Sequence, residues 1–181
     1  RPRTGTFFCH PAFTPAPTYD LALIRLDEPV RDETPVTLAL RSDASMAARN
    51  RGTSMQVFGF GATAHDPKKV NPVTSKSGMD LASEVLRTGL VTLSGPKCGK
   101  VPNNTFCSTT AGQNGGASIG LCRGDSGGPL MLDPDGTGRL RQFGVNSYMA
   151  GGVCGEPGVV SGFEDVTRYL DWIAKVTGLP L

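Results

Sequence analysis

The sequence predicts an all-β fold of short antiparallel strands with a single helix at its C-terminal end. First, 24 glycines and 14 prolines are spread through 181 residues, and helix-breaking residues at that density favour many short strands joined by turns over a helical bundle. Second, eight short β-rich stretches recur along the chain, most of them bounded by Gly, Pro or Asn. Third, apolar residues spaced three and four apart are confined to the segment that starts at Val166.

Residues 3–8 and 21–26 read as the first two strands. Between them Pro11, Pro15 and Pro17 lack the N–H that a sheet ladder needs, so that stretch is a loop. From Pro29 to Gly52 the chain is polar, with Pro29, Pro35 and a run of small residues near 45–48, and reads as a connector. Six further strands are expected at 54–59, 84–93, 105–108, 128–132, 139–147 and 157–163, separated by Gly, Pro and Asn turns. Strands at this spacing make a small antiparallel barrel or sandwich. In the final segment Val166, Tyr169, Leu170, Ile173 and Val176 form one apolar stripe, with Asp165 before it and Gly178 after it as start and stop signals. No internal repeat or low-complexity tract is present.

Composition removes several functional classes. Eighteen basic and 16 acidic residues give a formal charge of +2 and are scattered without runs, so no nucleic-acid partner is expected. The longest uncharged stretch, Val101 to Cys122, is rich in Asn, Thr, Ser and Gly and cannot span a bilayer, so no membrane partner is expected either. The start, RPRTGTFFCHPAF, carries only Phe7 to Cys9 as an apolar run and is no signal peptide; any export signal is expected upstream. Five cysteines, at 9, 98, 107, 122 and 154, point to disulfides and a secreted, extracellular setting. They contain no Cys-x-x-Cys pair, and neither His10 nor His65 stands in a zinc-ligand pattern, so no metal and no cofactor are expected. The odd count leaves one thiol free or without its partner.

Residues 122–130 read CRGDSGGPL. A serine hydroxyl becomes a useful nucleophile only when a base removes its proton and preorganised donors hold the developing oxyanion. Glycines around a serine permit the sharp turn that aims successive N–H groups at one point. A Gly-rich hairpin turn would have the same composition.

The whole of GDSGGPL resembles the nucleophile motif of the trypsin and chymotrypsin family of serine proteases. The resemblance implies that Ser126 is the nucleophile, that Gly124 and Ser126 supply the oxyanion-hole N–H groups, and that Asp125 receives the mature N-terminus. YDLALIRL, residues 19–26, resembles the strand bearing the family's triad aspartate, which falls on Asp20. FGFG at 58–61 is similar to a short aromatic-glycine strand, NSY at 146–148 to the strand that binds substrate backbone, and PGV at 157–159 to the strand closing the specificity pocket. The final helix, with Trp172 and Ile173, is similar to the family's C-terminal helix.

The implied fold is a chymotrypsin-like antiparallel β-barrel pair: a second barrel complete, a first reduced to about two strands, and a C-terminal helix. The implied division is 1–28 as remnant of the first barrel, 29–52 as connector, 53–164 as second barrel and 165–181 as helix and tail. By the same resemblance Cys122 pairs with Cys154 and Cys98 with Cys107, leaving Cys9 free. Gly120, Arg123, Ser147, Tyr148, Met149 and Gly158 are the implied substrate-binding residues. Gly120 stands six before Ser126, where trypsin-like members carry an acid, so cleavage after apolar residues is expected, and Met149 narrows the pocket toward small side chains.

The sequence departs from the family pattern in two places. The base, a histidine in an Ala-Ala-His-Cys type motif well before the aspartate, is missing; His10 lies only ten positions from Asp20 and His65 in a polar loop. Arg1 is not the Ile or Val that opens a mature protease of this type. The expectation is the C-terminal two-thirds of a serine endopeptidase that acts on polypeptides, inactive alone, with the missing N-terminal segment as a further partner. A non-catalytic homologue serving as a protein-binding module is the alternative.

Overall fold

The computed structural model describes residues 3–15, 18–43, 52–62, 83–94, 104–110 and 119–181 of the chain. The two first strands, β1 (Gly5–Cys9) and β2 (Ala22–Leu26), form an antiparallel ribbon in which Phe7 opposes Ile24. A short β3 (Thr37–Leu38) follows. Then come β4 (Ser54–Gly59), β5 (Arg87–Thr92), β6 (Thr105–Thr109), β7 (Pro129–Leu132), β8 (Arg141–Ala150) and β9 (Val160–Asp165). These six lie side by side in the order β5-β4-β7-β8-β9-β6, each pair antiparallel. The two ends of that sheet meet, because Leu93 bridges Ser108 and the Ser94 N–H donates to the Cys107 carbonyl at 2.8 Å. A sheet that curls until its ends join pairs the backbone groups that an open edge would present. The all-β barrel expected from the sequence is therefore the fold.

Alternation explains the inside. In β4, Met55 and Val57 are buried on one face while their neighbours are not. They pack with Val91, Phe106, Leu130, Phe143 and Phe163 from the other strands into one core. A second cluster, Val166, Tyr169, Leu170 and Ile173, joins the C-terminal segment to Leu21 and Leu23 of the ribbon side and to Val145 of β8. The ribbon's other face leaves Phe7 and Ile24 67% and 52% exposed.

Three departures from the expected elements have physical causes. The connector is not wholly irregular: β3 runs parallel to β8, and Asp43 beyond it, 7% exposed, takes the Leu40 N–H and the Arg141 guanidinium, each at 2.8 Å. The last strand begins at Val160, not at 157, because Gly158 adopts φ 87° and turns Pro157 to Val159 out of the ladder. The helix is broken. Asp165 caps a 3-10 turn, Val166–Arg168, and the α-helix proper runs Leu170–Thr177 from Tyr169, whose φ of −108° and ψ of 1° interrupt it. Gly178 ends it in the left-handed conformation, as the stop signal predicts.

Candidate active site

The segment that carries Ser126 is a tight loop between Cys122 and β7. Gly124 and Gly127 take φ values of 92° and 83°, which a side chain would resist. The Asp125 N–H donates to the Cys122 carbonyl at 3.2 Å, and Gly127 N–H to the Asn146 carbonyl at 2.9 Å. The Asn146 side chain, buried, donates to the carbonyls of Asp125 at 3.0 Å and Phe58 at 3.3 Å. The Asp125 carboxylate accepts the Gly61 N–H and the Cys122 N–H, each at 2.8 Å. Ser126 is left exposed at the tip. Among the described residues neither the Gly124 N–H nor the Ser126 N–H donates to another main-chain group.

Asp20 arrives from the other side of the site. Tyr19 before it has a positive φ of 56°, rare for an aromatic residue, and its carbonyl accepts the Leu21 N–H at 2.8 Å. The His10 ring stacks on Tyr19 at 4.9 Å and meets Tyr169 and Trp172 edge-on. That cluster holds the turn that presents Asp20. One Asp20 oxygen accepts the Ser147 hydroxyl at 2.6 Å. Ser147 reaches it because β8 and β9 slip register between Asn146 and Tyr148, so Ser147 has no partner in the ladder.

Asp20, Ser126 and Ser147 line one cavity of about 670 Å³ floored by Leu21, Leu38 and Val145. A second cavity, about 250 Å³, opens beside Ser126 between Arg123, Tyr148 and Met149, with Leu121 and Cys122 at its wall. A third, about 260 Å³, lies behind the loop, where Asp125 faces Gly59, Gly61 and Gly120. Neither Gly59 nor Gly61 has room for a side chain, since an added Cβ would sit 1.9 Å and 2.4 Å from the same Asp125 oxygen.

Residues 3–173 match the sequence profile of the Trypsin family. The chain belongs to the trypsin family. Kallikrein-12 of Homo sapiens is 29% identical over 177 residues, which cover 96% of this chain and 63% of that protein. Serine protease 56 of Mus musculus is 34% identical across 92% of this chain and 26% of its own length, and trypsin 5G1 of Aedes aegypti 34% identical across 94% and 58%. The chain thus spans less than two thirds of these relatives.

Within this trypsin-family chain the expected site residues divide. Asp20, Ser126 and Ser147 come together, and Arg123, Tyr148 and Met149 line the cavity next to Ser126. Gly120 lies on the cavity behind the loop instead, and Gly158 sits in the turn before β9, where its N–H donates to the Thr110 carbonyl at 2.9 Å. Cys122 and Cys154 are disulfide-bonded with Cα atoms 5.2 Å apart, Cys107 is also in a disulfide, and Cys9 is a free, exposed thiol. Cys98 and His65 lie outside the described residues. His10 does not line the cavity that holds Ser126; burial among its aromatic neighbours lowers its pKa. Among the described residues no helix is long and apolar enough to cross a membrane, and no cluster of His, Cys, Asp or Glu is arranged to hold a metal ion.

Sequence reasoning overlooked Glu164. It is fully buried in β9, and one of its oxygens accepts the Asp20 N–H at 3.3 Å. Burial, with Asp20 and Asp165 adding repulsion, raises its pKa. The signal was present as an acid set between Phe163 and Val166 in a segment otherwise destined for the core, a position where acids are seldom tolerated without partners.

Proposed function

We propose that the protein is the C-terminal portion of a serine endopeptidase that hydrolyses peptide bonds through an acyl-enzyme on Ser126. The convergence of Asp20, Ser147 and Ser126 on one cavity, with the 2.6 Å bond from Ser147 to Asp20, carries this reading. Ser126 Oγ attacks the scissile carbonyl carbon while a base takes its proton; the carbonyl becomes an oxyanion held by the N–H groups of Gly124 and Ser126. The base returns the proton to the leaving amine, and water repeats the sequence to release the acid. Asp20 orients and stabilises the protonated base. The base is a histidine supplied by a segment N-terminal to Arg1, and residues 1–181 by themselves are inactive.

Asp125 and the cavity beside it receive the new N-terminus of the matured protein, whose ammonium would pair with the carboxylate. The cavity beside Ser126 is the specificity pocket. No acid stands among the described residues that line it, and Glu156 is turned toward the Val153 N–H of its own turn at 3.4 Å, so a Lys or Arg head would be buried unpaired. Apolar residues before the scissile bond are preferred, small ones most, because Met149 borders the opening. The Cys122–Cys154 disulfide supports secretion. Position 29–52 serves as the connector between a first barrel represented by 1–28 and a second at 53–164 with the helix and tail at 165–181.

The test compares residues 1–181 with the same chain extended by its upstream histidine segment, using peptides with Ala, Leu, Phe or Arg before the scissile bond. The extended protein should cleave after Ala or Leu in preference to Arg, Ser126→Ala should abolish cleavage, and the shorter chain should be silent. Preference for Arg would overturn the pocket assignment; an inactive extended protein would overturn the enzymatic reading. The placement of His10 in an aromatic cluster away from Ser126 favours one second reading, a non-catalytic relative that binds proteins through this surface.

A further inference from the structure

Glu164 is a buried carboxyl that the reaction above does not use. It is 0% exposed, and among the described residues no Lys or Arg pairs with it. Burying an acid without a cation is unfavourable unless its lone pairs are satisfied. They are: Oε1 accepts the Asp20 N–H at 3.3 Å, and Oε2 accepts the Asn104 amide at 3.1 Å and the Tyr169 hydroxyl. The bond to Asp20 joins residues 144 positions apart and meets the main chain of Asp20, while Ser147 meets its carboxylate. Asp20 is thus held at two points, immediately after the left-handed Tyr19.

We propose, on the reading that Asp20 belongs to the catalytic set, that Glu164 is a positioning residue of that set, whose Oε1 anchors the Asp20 main chain and so fixes the carboxylate that orients the base. The titratable groups around it are Asp20, Asp165 with Arg168 against it, Tyr148 and Tyr169. Since burial and the two acids disfavour a charge on Glu164, its function at Asp20 is acceptance of a hydrogen bond, which a neutral oxygen at the same reach also performs.

Two variants of the protein carrying its upstream histidine segment test this. Glu164→Gln keeps an oxygen at full reach. Glu164→Asp keeps a carboxyl for the buried pocket but withdraws it by one methylene, about 1.5 Å. The Gln variant should retain kcat within about threefold. The Asp variant should lose about tenfold or more in kcat and in kcat/KM alike, with KM within about twofold, the pattern of a lost transition-state alignment. Amide exchange at Asp20 should accelerate at least tenfold in the Asp variant and not in the Gln variant. Wild-type kcat from the Asp variant, or equal impairment of the Gln variant, overturns the proposal. If the parent protein shows no Ser126-dependent turnover, the protease reading is what fails, and exchange still decides the anchor: unchanged exchange in the Asp variant overturns it, acceleration sustains it.

Discussion

Replacing Cys122 and Cys154 together by Ala should destabilise the protein by about 3.7 kcal/mol. The bridge spans a sequence separation of 32 and so closes a loop of 33 residues that contains the Ser126 loop, β7 and β8. Cutting it frees that loop in the unfolded chain; the closure entropy, about 2.1 plus 1.5R ln 33 in cal/mol/K, comes to roughly 12.5 cal/mol/K, or about 3.7 kcal/mol at 25 °C. Both cysteines are half-buried, so Ala loses little packing beyond this. Against a typical total of about 5–15 kcal/mol the loss is a large share. The assay is urea unfolding followed by the fluorescence of Trp172, the only tryptophan, which packs against the C-terminal cluster. With a slope of about 1–3 kcal/mol/M the midpoint should fall by roughly 1–4 M. Reductant must be left out, because Cys107 is also in a disulfide. A loss under about 1 kcal/mol would refute the reasoning, since it would mean that this loop is already constrained in the unfolded chain.

Gly59→Ala places a Cβ 1.9 Å from one oxygen of the Asp125 carboxylate, whose two oxygens each accept a main-chain N–H, so it should cost about 1–3 kcal/mol in denaturant melts, and wild-type stability would show that Asp125 yields freely. Phe143→Ala, which empties a site with 0% exposure in the centre of the barrel, should cost about 3–5 kcal/mol by the same measurement; less than about 2 kcal/mol would mean that the strands collapse into the space. Glu164 has its folded-state pKa raised above the ordinary 4.5, so the stabilisation it contributes is complete below that pH and is lost as pH rises through the folded-state pKa. Glu164→Gln removes this titration, and its melting temperature relative to wild type should climb between pH 4 and pH 8; a difference that stays flat, or falls, contradicts the direction of the shift.

Features set by neighbours along the chain were legible. β4 was read as 54–59 and is Ser54–Gly59, because its alternation and terminal glycine are local facts. The loop that carries Ser126 was legible for the same reason: Gly124 and Gly127 occupy positive φ, where only glycine is at ease, and the motif announces them. The helix was half legible. Its apolar stripe is satisfied equally by a continuous helix and by one broken at Tyr169, whose φ of −108° and ψ of 1° the stripe does not encode.

By itself the sequence determined the all-β class, the loop that carries Ser126, the family resemblance and the stop at Gly178, all of which depend on backbone preferences within a few residues. Only the tertiary structure decided that Leu93 meets Ser108 to join the sheet's ends, that a register slip frees Ser147 to reach Asp20, and that Glu164 anchors Asp20 from behind. Each of these joins segments far apart in the chain, and such contacts are fixed by packing around a shared core, which periodicity along one strand does not specify.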